Sequence, residues 1–322
     1  MIRFLKPCAF SVVITAVTAV TSGCTPTEAN RFREALPVGE DIALRVPGET
    51  SAGTGKTSQG LHIATNTPAG TSARYYQMTR GLTASVDLAT AVILGGIWTI
   101  ANTEPTSLED RKAVWGPTTA SGLQPAIWRF VVTQVGDAEY DYALEGQPRA
   151  GGAWSAALTG HGYGKSRPEH KMGWFKADND AYRKLEPALA TEGGTTKVTY
   201  DLRTTPATIA VELRPHADLA DGWIDLAVTH LAGGAGSVTI GGLADIDEKS
   251  ASRVEDIRLV SRWAADGSGR ADVVMKGGDL PFVVDASECW SSSFVRVFYK
   301  DTVDFEPATG AAASCTFPAT TF

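Results

Sequence analysis

Two histidines and a carboxylate lie within one ten-residue span and combine residue types that perform acid–base or metal chemistry. His161, Glu169 and His170 supply two imidazoles and a carboxylate, which act as general bases and as zinc ligands. Asp178 and Asp180 follow and would complete a ligand set. A metal needs three or four ligands that converge at about 2.0–2.2 Å from the ion, and sequence spacing does not establish that convergence. The three residues are candidates for a hydrolase site, and a loop between two strands is the alternative.

Three other motifs resemble ligand-binding loops but lack residues that the ligand needs. Gly53–Thr57 resembles the end of a phosphate-binding loop, yet Thr50 stands where that loop requires its first glycine. Residues 178–180 and 245–248 have the carboxylates of a calcium loop without the glycine and downstream glutamate of an EF-hand. We expect loops and turns at these positions, and we predict neither a cofactor nor a bound metal.

The N-terminus has the composition of a secretory signal. Arg3 and Lys6 form a basic region, and the apolar stretch Ala9 to Val20 is too short for an ordinary membrane span. Residues 21–24 (TSGC) resemble the lipobox of bacterial lipoproteins, in which cleavage before the cysteine leaves lipids on the new N-terminal Cys24. Thr21 departs from the usual aliphatic residue, so a plain cleaved signal is the alternative. Since Thr25 is not Asp, the resemblance implies the outer membrane, on its periplasmic or surface face.

The remaining cysteines agree with export. Cys8 leaves with the signal and Cys24 carries lipid, which leaves Cys289 and Cys315. An even pair in an oxidising compartment most simply forms one disulfide. Two free thiols acting as a redox pair or as metal ligands are the alternative, although no CxxC motif supports it.

The charge balance limits the partners. Without the signal the chain has 27 basic and 36 acidic residues, a net charge of about −9. An acidic surface does not attract nucleic acid or anionic lipid, so membrane attachment has to come from the anchor on Cys24. The expected partners are the membrane through that anchor and either a hydrophobic small molecule or an envelope protein.

The stretch Ser72 to Asn102 predicts the longest helix. Its second half is apolar around most of the circumference, which requires cover on more than one side. The apolar part, Val86 to Ile100, is shorter than the roughly 20 residues that span a bilayer, and Gly95 and Gly96 weaken that interpretation. We therefore predict a buried core helix.

Beyond Ala113 the hydrophobic period becomes that of strands. Tyr140, Tyr142 and Leu144 alternate with charged residues, which is typical of a sheet with one wet face. Short strands with tight turns follow, and the last of them is a single predicted strand from Glu288 to Tyr299. Asp41 to Val46 has a strand pattern as well. The fold class is mainly β with one long helix (α+β). We predict a curved antiparallel meander of about 10–12 strands, or an open barrel, wrapped around the core helix.

Three segments follow from these patterns. Residues 1–23 are a lipoprotein signal peptide, residues 24–38 a polar tether, and residues 39–322 a single β-rich domain with its core helix at 72–102. The order of several motifs resembles that in a family of uncharacterised myxobacterial-type lipoproteins. These motifs are the lipobox, Ala35-Leu36-Pro37, Tyr75 to Arg80 (YYQMTR) and Val114 to Pro117 (VWGP). Trp128-Arg129-Phe130 and the Tyr140-x-Tyr142-x-Leu144 strand extend the resemblance, which covers roughly residues 24–215. It implies compartment and architecture, and it assigns no functional residue.

Two functions remain open. The first is a non-enzymatic binding or structural role in the envelope, with a hydrophobic ligand in the concave face of the sheet. The second is hydrolysis of envelope or extracellular polymers by His161, Glu169 and His170. A weaker third possibility is partner binding at an exposed sheet edge.

Overall fold

The computed structural model describes residues 27–48, 71–118, 125–187, 193–215, 222–244, 254–278 and 280–322. The predicted signal peptide, Cys24, Gly53–Thr57 and residues 245–248 lie outside these described residues. The chain divides into two compact units. Within the described residues, unit 1 contains 44–88 and 204–322, and unit 2 contains 27–43 and 89–203. This division differs from the single domain expected over 39–322.

Antiparallel strands make up most of the described structure, with few helices. The helices are α1 (Thr27–Arg33), α2 (Arg74–Ala101) and α3 (Asn179–Leu185). The strands of unit 2 are β1 (Ser107–Glu109), β2 (Lys112–Thr118), β3 (Ala126–Gly136), β4 (Glu139–Pro148), β5 (Ser155–Tyr163), β6 (Met172–Asp178) and β7 (Thr195–Asp201). Those of unit 1 are β8 (Ala207–Arg214), β9 (Trp223–His230), β10 (Gly236–Ala244), β11 (Glu255–Trp263), β12 (Gly269–Gly277), β13 (Val284–Trp290), β14 (Arg296–Asp301) and β15 (Thr309–Gly310).

The strand order follows the chain from β1 to β15, and the sheet is open among the described residues. Fifteen strands exceed the predicted 10–12, partly because β1 and β15 are only 3 and 2 residues long. On β4, Tyr140, Tyr142 and Leu144 are buried and Asp141 is exposed, so the predicted alternation is confirmed. The mainly β class with one long helix is confirmed as well, and the sheet does not close into a barrel.

Two predicted strands are wrong. The segment 41–46 forms no strand, because the Leu44 amide bonds the Asp87 carboxylate at 2.9 Å and Arg45 adopts a left-handed φ of 41°. The single strand predicted from Glu288 to Tyr299 is instead the hairpin β13–β14. Its turn is closed by a hydrogen bond from the Ser291 amide to the Val295 carbonyl.

Helix α2 has 28 residues, so it is continuous through Gly95 and Gly96 and about 42 Å long. One stripe of it is buried and includes Thr79, Thr83, Val86, Thr90, Ile93, Leu94, Ile97 and Ala101. The buried hydroxyls of Thr79 and Thr83 donate to carbonyls four residues earlier, which satisfies polar atoms on that stripe. The opposite stripe is open, with Leu88 58% exposed. The expected cover on more than one side is therefore not found.

Length and composition alone make α2 the one described helix that could cross a membrane. Its most apolar window has a mean hydropathy of 1.6, and 33% of that window is buried. The core helix of a soluble protein passes the same test of length and composition.

In unit 1 the C-terminal residues lie against the sheet. Cys289 on β13 pairs with Cys315 at disulfide distance, with their Cα atoms 5.4 Å apart, which confirms the predicted pair. Asp272 on β12 accepts hydrogen bonds from the Thr320 amide at 3.0 Å and from Arg270. Desolvation acts to raise the pKa of Asp272, but these bonds and one from Ser287 outweigh it and lower that pKa. The carboxylate therefore stays charged and holds the C-terminal segment in place.

Candidate functional site

A cavity of about 490 Å³ lies within unit 2, and its volume is in the range typical of small-ligand sites. Its walls come from four segments: residues 30–42, the C-terminal end of α2, the loop between β5 and β6, and the end of β7. The lining residues are Asn30, Arg33, Glu34, Ala35, Leu36, Pro37, Val38, Asp41, Ile42, Trp98, Asn102, Tyr163, Lys165, His170, Lys171, Met172, Tyr200 and Leu202.

Helix α1 and the residues after it form the first wall. Glu28 in the first turn and Arg31 and Arg33 in the last turn suit the helix dipole. Ala29 and Phe32, three positions apart, are fully buried, and the Phe32 ring meets the Tyr140 ring edge-on at 5.7 Å. The polar tether predicted for 24–38 is thus corrected over residues 27–38, which are packed because their apolar positions recur at helical spacing.

Arg33 is the most deeply buried charge in the cavity wall, with 6% exposure. Its Nε donates to the Ala101 carbonyl at 2.5 Å, and its terminal nitrogens donate to the Thr103 carbonyl and the Asn30 side-chain oxygen at 2.8 Å each. Burial lowers the pKa of this guanidinium, which still stays charged at neutral pH. Since α2 has no basic residue in its last turn, Arg33 supplies the cation at the C-terminal end of that helix.

Trp98 fixes α2 to the wall segment. Its indole Nε1 donates to the Pro37 carbonyl at 2.8 Å, while its ring lines the cavity. Together with Leu36, Ile42 and Met172, it gives the cavity an apolar body. The site therefore combines an apolar body with a buried cation.

The loop between β5 and β6 forms another wall. The His170 Nδ1 lies 3.1 Å from the Tyr163 carbonyl oxygen. A carbonyl oxygen only accepts hydrogen bonds, so Nδ1 carries the proton and Nε2 is the acceptor in neutral His170. Lys171 adopts a left-handed φ of 73°, and its carbonyl accepts from the Leu202 amide at 3.0 Å. That bond joins the loop to the end of β7.

Tyr200 adds a neutral hydroxyl to the lining. Burial raises the pKa of Tyr200, so the phenol keeps its proton at physiological pH. Gly173 leaves room for this ring, because a Cβ there would lie 2.8 Å from the Tyr200 hydroxyl. Tyr200 was not among the residues that the sequence singled out.

The predicted hydrolase residues make separate contacts. The His161 Nδ1 lies 2.7 Å from an Asp141 oxygen, and its Nε2 lies 3.5 Å from a Glu139 oxygen, on the wet face of β4 and β5. Glu169 pairs with Arg167 at 2.9 Å. Of the three candidates, His170 alone lines the cavity. Among the described residues, no side-chain hydrogen bond or ion pair joins any two of them.

Metal ligands do not assemble in the described part of the chain. It contains no group of three or more histidine, cysteine, aspartate or glutamate residues placed to hold an ion. Asp178 instead caps α3 by accepting from the Ala181 amide at 2.9 Å, and Asn179 is buried. The calcium-like pattern at 178–180 is therefore a helix start.

Comparisons with protein-family models, with curated proteins and with solved structures give no match. The resemblance to envelope lipoproteins therefore stays a prediction from the sequence.

Proposed function

We propose that this protein is a non-enzymatic lipoprotein of the cell envelope that holds a small hydrophobic or amphipathic molecule in the unit 2 cavity. The cavity carries the proposal, because it combines about 490 Å³ of space with an apolar body and few convergent polar groups. Polymer hydrolysis has weaker support, since His161, Glu169 and His170 have separate partners.

Extraction of the purified protein tests ligand binding. Protein purified without detergent is extracted with organic solvent, and the extract is analysed by mass spectrometry. Met172 lines the cavity and is half-buried, so Met172→Trp fills the space that the ligand needs. Met78→Trp is the matched control, because Met78 is also half-buried but does not line the cavity.

The expected result is a hydrophobic compound in the extracts of wild type and Met78→Trp that is absent from the extract of Met172→Trp. The same compounds at the same amounts from all three proteins would count against binding in the cavity. An empty wild-type protein that also binds no added long-chain alkyl compound would end the proposal.

We also propose that lipids on Cys24 anchor the protein to the outer membrane. The support is the signal-like composition of residues 1–23 and the lipobox resemblance. Stable anchoring takes more than one acyl chain, which this type of modification supplies. Labelled palmitate should enter the wild type but not Cys24→Ser, and Cys24→Ser should leave the membrane fraction. An unchanged distribution of the variant contradicts the anchor.

In the same proposal, the sheet curls around the buried stripe of α2 and leaves the stripe with Leu88 open. The support is the buried stripe of the helix, which contains Val86 in unit 1 and Ile93 and Ile97 in unit 2. A charge on that stripe, as in Ile93→Asp, should unfold the protein, whereas Leu88→Asp on the open stripe should leave it folded. Equal effects of the two substitutions would contradict this arrangement.

A further inference from the structure

We propose that the ligand of the cavity is a long-chain carboxylate, whose charged end pairs with Arg33. This inference rests on the proposed function, and it adds the chemical class of the ligand.

The surroundings of Arg33 differ from those of the other buried arginines. Three arginines are buried among the described residues: Arg33, Arg270 and Arg296. Arg270 pairs with the Asp272 carboxylate at 2.8 Å, and Arg296 pairs with Glu288 and Glu306 at 2.5 Å each. Within the described residues, the Arg33 side chain contacts two backbone carbonyls, an amide oxygen and the face of the Trp115 ring, so no described carboxylate balances its charge.

A buried cation without a carboxylate is costly, and an anion from outside relieves that cost. The partial negative charge at the C-terminal end of α2 offsets about half of one charge. The rest of the guanidinium charge remains at the wall of a cavity that can admit a ligand. An anionic group there gains a partner that the protein itself does not supply.

The guanidinium also keeps donors free for such a group. It has five N–H donors, and three of them bond Ala101, Thr103 and Asn30. One N–H therefore remains on each terminal nitrogen. A carboxylate can accept a hydrogen bond from each of them.

Other charged groups around the cavity modulate this site. Lys165 lies 3.9 Å from Glu34, which balances it, and Asp41 is exposed. Lys171 is exposed at the cavity and has no ion pair among the described residues. Three basic and two acidic side chains thus belong to the lining, so the site favours an anion although the whole chain is acidic.

The apolar lining accounts for the rest of the ligand. Leu36, Ile42, Trp98, Met172 and Leu202 provide carbon surface for an alkyl chain. A small polar anion would leave this surface in contact with water. An amphiphile with one charged end uses both parts of the cavity.

Isothermal titration calorimetry with three ligands of equal chain length tests the proposal on the full chain. The probes are laurate, dodecanol and dodecyl phosphate. Wild type should bind laurate at least about 10-fold more tightly than dodecanol, which corresponds to one charge-assisted interaction. Dodecyl phosphate should bind no more tightly than laurate, and tighter binding of the phosphate would overturn the carboxylate assignment.

Substitution of Arg33 tests the residue. Arg33→Gln should lose the preference for laurate over dodecanol, and measurable binding of dodecanol by this variant shows that its cavity is intact. Arg31→Gln, on the same helix but outside the cavity, should keep the preference. A preference that persists in Arg33→Gln overturns the assignment. If Arg33→Gln does not fold, Lys171→Glu at an exposed position of the lining tests the site instead. Weaker laurate binding by Lys171→Glu supports the proposed site, and unchanged binding overturns it.

The results separate this inference from the proposed function. Wild type could bind laurate and dodecanol equally, with the binding of both lost in Met172→Trp. That result would overturn the assignment of a carboxylate ligand but support the proposed binding function. No binding of any of the three probes would overturn both.

Discussion

The Arg33 guanidinium donates to the carbonyl of Ala101, the last residue of α2, at 2.5 Å. The same side chain reaches the Thr103 carbonyl just beyond that helix end. Helix ends leave carbonyl groups without partners within the helix, and a cation there is favourable. Arg33 therefore joins α1 to α2 within unit 2.

Loss of this connection should destabilise unit 2. Arg33→Gln removes two hydrogen bonds to carbonyls and should lower the free energy of unfolding by about 2 kcal/mol. Since domains are stable by about 5–15 kcal/mol, the variant should remain folded. Urea denaturation followed by circular dichroism measures the change. Arg31→Gln, whose side chain is 40% exposed, should change stability little, and equal losses in both variants would contradict the role of Arg33.

Asp87 should make unit 1 less stable at neutral than at acidic pH. Burial raises its pKa from 3.8 to about 6, although the Leu44 amide and Arg45 oppose that rise. Between these values the folded chain holds a proton that the unfolded chain has lost. The contribution of Asp87 to stability therefore falls as pH rises from about 4 to 6 and then stays level.

Asp87→Asn should remove the loss of stability that the Asp87 carboxylate causes as pH rises. At pH 7.5 the variant should be more stable than wild type by on the order of 2–3 kcal/mol, and at pH 4 the two should be equal. Urea denaturation across this pH range measures both. The exposed Glu104→Gln serves as control and should follow wild type. A variant that is less stable than wild type at pH 7.5 contradicts the raised pKa.

The disulfide should stabilise the C-terminal part of unit 1. Cys289 and Cys315 are 26 positions apart, and closing such a loop contributes about 3 kcal/mol in the chain-entropy treatment. The Cys289→Ser/Cys315→Ser variant should lose about that much and become insensitive to reductant. Thermal unfolding with and without dithiothreitol measures this. A wild type whose unfolding does not respond to reduction would contradict the bond.

Helices and strands were predicted correctly from the sequence where a single hydrophobic period determines them. The alternation on β4 and the apolar length of α2 each follow from one hydrophobic period. The β13–β14 turn was missed because its left-handed position is held by Phe294, with a φ of 60°, rather than by glycine. Residues 42, 44 and 46 alternate as in a strand, but the Leu44 amide bonds a side chain instead of a neighbouring strand.

The candidate site was predictable only in part. His170 was singled out for its chemistry, and it does line the cavity. Arg33 was missed because residues 24–38 have a polar composition, although Ala29, Phe32 and Leu36 recur at helical spacing and would have indicated a buried face. Its partners Ala101 and Thr103 are about 70 residues away along the chain, and no local pattern relates them.

Hydrogen–deuterium exchange of the full chain, with and without saturating laurate, tests the central claim most directly. The ligand should slow amide exchange in peptides that cover residues 30–42 and 163–172, which form two walls of the cavity. Peptides from β11 and β12 in unit 1 should not change and serve as the internal control. Slower exchange confined to other regions, or none anywhere despite measured binding, would contradict a ligand in this cavity.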